Sequence, residues 1–266
     1  MKEKIGWIGM GHMGYAMLKG ALRYKQPSEL AFNDRYLSHM EEVKKETGVE
    51  FYRDKKEMLQ NVKYSILAIK PQSLLEVAEE IKGLFTKEQI IISILPGVTI
   101  KGLKEIFKTE AKIVRAMPNT PALIGEGMTG ISFSKDSFTE EEKQEILKFF
   151  SSFGKYEIVE EDLMNAVVCA SGSSPAYVYM FIEALADSAV KYGIPRQSAY
   201  TFAAQTVLGS AKMVLETGQH PGKLKDDVCS PGGTTIAAVS ALEEYGFRNA
   251  IIKAADQCYE KVTKIK

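Results

Sequence analysis

The chain is poor in the residues that staple or metallate small folds. It has three cysteines (Cys169, Cys229, Cys258) and three histidines (His12, His39, His220) in 266 residues. No C-x-x-C pair occurs and no histidines stand at ligand spacing. A disulfide framework, a zinc site and a metal-dependent mechanism therefore lack the residues they need, and no metal is expected. Net charge is absent too: 34 Lys and Arg balance 34 Asp and Glu. With no basic cluster, neither nucleic acid nor an anionic membrane is an expected partner. The one long uncharged stretch, residues 164–182, is interrupted by Asn165, Gly172, Pro175 and serines, so it is too polar to span a bilayer. The start, "MKEKIGWIGMGHMG", reaches glycines with no signal-type apolar stretch. A cytoplasmic location is the expectation.

What is present is an ordinary globular composition, 45% apolar and 26% charged, with length enough for two domains of roughly 100–200 residues each. Up to residue 160, short β-rich runs (4–9, 30–33, 50–52, 64–69, 90–95, 112–117, 128–133 and 156–159) alternate with amphipathic stretches (14–24, 37–47, 73–83 and 139–153). That alternation predicts an α/β domain with a doubly wound, mostly parallel sheet of Rossmann type. The continuous apolar runs "YSILAI" and "IIISIL" agree, since parallel strands are covered on both faces. After Glu160 strand signals stop, and 174–192, 196–216, 233–245 and 247–264 read as helices. The expected division is 1–160, dinucleotide-binding, and 161–266, all-α. Two of the C-terminal helices are apolar nearly all round, more than so small a domain can enclose. A homodimer or larger homo-oligomer built through those helices follows.

"IGMGHMG" supplies Gly9, Gly11 and Gly14 in G-x-G-x-x-G spacing, after an apolar strand and at the head of an apolar helix. Gly9 permits the tight turn, Gly11 lets a pyrophosphate approach the backbone, and Gly14 lets helix and strand pack closely. The intervening Met10, His12 and Met13 bring the backbone N–H groups of the helix start to the phosphates. The second strand ends at "AFNDRY". A carboxylate at Asp34 would bond the ribose 2′-OH of NAD, whereas the guanidinium of Arg35 would clamp the 2′-phosphate of NADP, and Asn33 serves either. The residues alone leave that choice open. "LAIKPQ" places Ala68, Ile69, Lys70 and Pro71 at the carboxyl end of the fourth strand. Pro71 is ordinary helix-start chemistry, but the lysine calls for a cofactor ribose or phosphate. "ILPG" and "AMPNTP" end the next two strands on the same edge, forming a rim suited to a nicotinamide.

A second glycine-rich helix start, "CSPGGTT", lies far downstream. Its two glycines and following helix form a nest of N–H groups flanked by hydroxyls, suited to a small carboxylate. Simple capping by Thr234 or Thr235 accounts for one hydroxyl but not for the glycines and Ser230 as well. At these residues the sequence resembles the pyrroline-5-carboxylate reductase family. Residues 220–248, "HPGKLKDDVCSPGGTTIAAVSALEEYGFR", match the family's C-terminal signature, and "IGMGHMG", "LAIKPQ", "VRAMPNTP", "VEEDLMNAV", "SGSSPAYVY" and "GIPRQSA" follow the same order over essentially the whole chain.

The resemblance implies reduction of the cyclic imine Δ1-pyrroline-5-carboxylate to proline, with NADPH favoured and NADH as the alternative. It places the substrate carboxylate on the turn of Ser230, Gly233, Thr234 and Thr235, with Thr235 bonding the ring nitrogen as an orienter rather than as the final acid. Glu161, in "VEEDL", matches a family position near the substrate, although a solvated acid in an acidic run is the competing reading. Asp34 and Asp227 depart from the family's usual residues. The rival β-hydroxyacid dehydrogenases use a helix lysine as general acid and base, and "SGSSPAYVYMFIE" contains none. A non-catalytic nucleotide sensor would be expected to have a damaged second turn, and this turn is complete.

Overall fold

A computed structural model describes residues 4–264. The first half alternates β1 (Ile5–Ile8), α1 (His12–Ala21), β2 (Leu30–Asn33), α2 (Leu37–Thr47), β3 (Glu50–Phe51), α3 (Lys55–Asn61), β4 (Tyr64–Leu67), α4 (Leu74–Ile81), β5 (Ile90–Ser93), α5 (Ile100–Phe107), β6 (Lys112–Met117), β7 (Gly127–Phe133), α6 (Glu140–Ser151) and β8 (Gly154–Ile158). After β8 come α7 (Met164–Val167), a π-helical turn Val168–Gly172, α8 (Pro175–Lys191), α9 (Arg196–Thr217), α10 (Pro221–Val228), α11 (Thr234–Glu244) and α12 (Phe247–Thr263). The strands form one sheet in the order β3-β2-β1-β4-β5-β6-β7-β8. All neighbours are parallel except β6 and β7. That pair is antiparallel because residues 118–126 are too few for a parallel crossover, which needs about a dozen or more.

Successive strand residues face opposite sides, and each side has its own core. Ile5, Trp7, Tyr64, Ile66, Ile90, Ile92, Val114 and Ala116 join Phe149, Phe150 and Phe153 on one face. Ile8, Leu67, Ile91 and Ile113 join Leu103 and Phe107 on the other. Burial on both faces explains why these strands read as unbroken apolar runs rather than alternating ones.

The strand ends are trimmed relative to expectation where the backbone turns: β1 stops before Gly9, whose φ is +97°. Helix α1 begins at His12, earlier than expected, because Gly14 sits inside it, packed on Gly9. Helices α3, α5 and α10, of seven or eight residues each, are additional to the amphipathic stretches expected from the sequence.

The chain divides into two compact units, residues 4–173 with 258–264, and Ser174–Gln257. Segment 161–172 belongs to the first because α7 packs on β6 and β7. The second unit is all helical, and its enclosed apolar core is little more than Ala186, Ala199 and Ala203. Met180, Phe202, Met213 and Leu215 are half or more exposed. Among the described residues no helix is long and apolar enough to cross a membrane.

Candidate active site

The strand order reverses between β1 and β4, the place where open α/β sheets leave a crevice at the carboxyl ends of their strands. A cleft of about 560 Å3 lies there. It gathers Gly9, Gly11, Asn33, Asp34, Arg35, Ala68, Ile69 and Lys70, as the sequence predicted, with Ile8, Tyr36, His39, Arg53, Lys55 and residues of α4 that sequence reasoning missed. Applying the strand-end rule to β3 would have found Arg53 and Lys55. Met10, His12, Met13, Gly14 and Pro71 do not line the cleft. The Met10 side chain is in the core, 1% exposed. The turns at 94–97 and 116–121 also lie outside this cleft.

Each glycine of the loop has its own physical reason. A Cβ on Gly9 would stand 2.6 Å from the Ala68 carbonyl oxygen, and one on Gly14 would stand 2.5 Å from the Gly9 oxygen. A Cβ on Gly11 would meet no protein atom within 4 Å. Nothing in the protein demands that glycine, so the space it leaves open fits an approaching pyrophosphate at the head of α1.

Asn33 and Asp34 are turned toward the protein. The Met10 N–H donates to Asp34 Oδ2 at 2.6 Å and the Tyr36 N–H to Oδ1 at 3.2 Å. His39 Nε2 lies 2.8 Å from the Met10 carbonyl oxygen. The Asn33 amide donates to the carbonyls of Tyr52 (2.8 Å) and Arg53 (3.3 Å). Both residues thus hold backbone, one the glycine loop and the other the end of β3. Lys55 is paired with Glu80 at 2.6 Å. Arg35, Arg53 and Lys70 have no side-chain partner among the described residues, and against them stand Glu76 and the backbone-bonded Asp34, so the cleft's uncommitted charge is net positive, as a phosphorylated cofactor requires.

Glu161 lies in the same unit. The Ile100 N–H at the head of α5 donates to its Oε1 at 2.6 Å, and Arg115 Nη1 is 3.5 Å from the same oxygen. Arg115 is 2% exposed and also donates to Asn165 Oδ1 at 3.2 Å. Burial pulls its pKa below the usual arginine value, and Glu161 opposes that shift. Asn119, from "AMPNTP", ties the π-helical turn to β7 by donating to the Ser171 carbonyl and accepting from the Met128 N–H.

In the second unit, Gly232 has φ +70° and the Gly233 N–H closes the turn on the Ser230 carbonyl at 3.0 Å. Helix α11 starts at Thr234 with Gly233 as its N-cap and no side-chain cap. The capping alternative for the threonines is therefore not what is found. The N–H groups of Thr234, Thr235 and Ile236 have no intrahelical partner. The hydroxyls of Ser230, Thr234 and Thr235 have none among the described residues. Asp227 is matched by Lys223 one helical turn away. No group of three or more His, Cys, Asp or Glu side chains that could hold a metal occurs among the described residues.

Residues 161–265 match the family model described as pyrroline-5-carboxylate reductase dimerisation, and residues 4–97 match the NADP oxidoreductase, coenzyme F420-dependent model. A pyrroline-5-carboxylate reductase of Escherichia coli (strain K12) is 45% identical over 100% of this chain and 99% of its own length. The chain belongs to the pyrroline-5-carboxylate reductase family. Solved members agree in fold. The structure from Coxiella burnetii superposes with a TM-score of 0.90 at 31% identity, covering 100% of this chain and 99% of that one. The pyrroline carboxylate reductase of Plasmodium falciparum with NADP bound gives 0.89 at 31%, with the same coverage. The family's dimerisation model spans the helices whose apolar faces the single chain leaves open, which supports self-association of this member.

Proposed function

We propose that the chain reduces Δ1-pyrroline-5-carboxylate to proline with NADPH, the last step of proline biosynthesis. The observation that carries the assignment is the turn before α11, whose first three helical N–H groups have no intrahelical partner and whose Ser230, Thr234 and Thr235 hydroxyls have none among the described residues. Such a turn takes up a carboxylate without a cationic side chain. The family match and the open, cationic cleft support the cofactor half.

The reaction adds a hydride to the imine carbon, and the ring nitrogen must carry a proton. Bound NADPH supplies the hydride from C4 of its dihydronicotinamide. Gly9, Gly11 and the N-terminus of α1 hold the pyrophosphate, and Arg35 and Lys70 take further phosphate or ribose contacts. Ser230, Gly233 and Thr234 hold the substrate carboxylate. The Thr235 hydroxyl accepts from the iminium N–H and keeps the ring oriented as its positive charge is lost. Its own acidity is far too low for it to be the final proton donor at neutral pH. Glu161, held through Oε1 by the Ile100 N–H and beside Arg115, is the carboxylate whose negative charge favours the iminium over the neutral imine.

The extents of the family matches support a functional division at 160/161, with the C-terminal half serving substrate and association. The assembly is a dimer or a larger ring, and the location is cytoplasmic.

Mixing the protein with pyrroline-5-carboxylate and following absorbance of NADPH and NADH in parallel tests the activity, and NADPH should be consumed faster. Thr235→Val should lower kcat about a hundredfold, on the scale of losing a hydrogen bond to a charged group. A variant with unchanged kcat and KM would remove Thr235 from the reaction.

A further inference from the structure

We infer that Arg53, at the end of β3, is a second determinant of specificity for a cofactor phosphorylated on its adenosine ribose, acting with Arg35 from the neighbouring strand. The inference rests on NADP(H) use and extends it to a residue outside the β2 turn.

The register places Arg53. Strand β3 runs parallel to β2 with Ala31 opposite Glu50 and Phe32 opposite Phe51, and the Tyr52 N–H continues the ladder to the Phe32 carbonyl at 2.8 Å. The next residues, Asn33 and Asp34, therefore run beside Tyr52 and Arg53. The Asn33 amide locks that alignment by donating to both carbonyls. Parallel strands stand about 4.8 Å apart, so the two arginines leave the sheet edge as near neighbours. Both line the cleft.

The polar groups between them are already committed. Asp34 accepts from Met10 and Tyr36, Asn33 donates to backbone, and Lys55 is neutralised by Glu80. A 2′-phosphate entering here approaches the Asp34 carboxylate. One arginine offsets only part of the repulsion on a dianion, whereas two offset it and supply fork-shaped donors to its oxygens. Neither arginine has another partner among the described residues, so neither must break a bond to serve.

The test is calorimetric titration of the whole protein with 2′,5′-ADP and with 5′-AMP, in Arg53→Gln, Arg35→Gln and the parent, alongside KM for NADPH and NADH. Arg53→Gln should weaken 2′,5′-ADP about tenfold, the loss of one charge-assisted bond, and change 5′-AMP less than twofold. It should raise KM for NADPH more than for NADH. If Arg35→Gln shows this selective loss and Arg53→Gln does not, the inference about Arg53 is overturned while the NADP(H) reading stands. If the parent binds both nucleotides equally, the phosphate-specificity reading itself fails. Equal weakening of both nucleotides by Arg53→Gln would mark a general adenosine contact and also overturn the inference.

Discussion

The two compact units solve the burial problem differently. The first wraps helices on both faces of an eight-stranded sheet and encloses Trp7, Phe32, Phe107 and Phe150 almost completely. The second has comparable apolar content but encloses mainly three alanines, leaving Met180 68% and Phe202 63% exposed in the single chain. A sheet has two faces that covering helices can close within one chain, whereas helices apolar all round need neighbours on every side. The first unit is thus closed within one chain, whereas the second leaves apolar helix surface that self-association would cover.

A charge at Phe202 probes this contrast with the largest expected effect. The side chain is exposed in the single chain, so Phe202→Glu should leave the fold intact. It should weaken self-association by about a thousandfold or more, roughly 4 kcal/mol for an unpaired charge in an interface. Analytical ultracentrifugation reads this directly. An unchanged assembly would take that face of α9 out of the interface.

Phe150→Ala probes the other unit. Phe150 is fully buried against Phe149 and Phe153, and Phe149 packs edge-on against Trp7 at 6.0 Å. Truncation should cost about 4 kcal/mol. Because Trp7 is the sole tryptophan, denaturation followed by its fluorescence reports the first unit. A loss below about 1 kcal/mol would show that this core repacks freely.

Glu142 gives a smaller, pH-dependent effect. It is 4% exposed, pairs with Lys112 at 2.5 Å, and completes a capping box with Thr139. Burial would raise its pKa, but Lys112, the Thr139 N–H and Lys63 together hold it below the ordinary carboxylate value. A depressed folded-state pKa contributes stability that is fully present above the unfolded value, near pH 4–5, and lost as pH falls through the folded one. Glu142→Gln should lower stability by about 3 kcal/mol at pH 7 and by progressively less below about pH 4. A difference constant down to pH 3 would show that the charge contributes nothing.

Much of this was legible beforehand because it depends on local pattern. The eight strand segments were found within a residue or two at most ends, since parallel strands announce themselves as apolar runs between turns. The antiparallel β6–β7 pair was not foreseen, because it follows from connection length rather than strand composition. Asn33 and Asp34 read as cofactor ligands from their place at the end of β2. Their actual bonds, to Tyr52, Arg53 and Met10, join residues distant in sequence, and periodicity does not report such pairings. Arg53 was passed over for the same reason: β3 pairs through only two residues, too few to draw attention to the position beyond it.

The sequence alone determined the class of fold, the two glycine-rich helix starts and the excess of apolar helix surface. Each is set by neighbouring residues through steric freedom, capping and hydrophobic period. Only the tertiary structure decided which side chains remain uncommitted. A polar group's availability depends on whether folding has brought it a partner, and here it occupies Asn33, Asp34 and Lys55 while leaving Arg35, Arg53, Ser230, Thr234 and Thr235 without partners among the described residues.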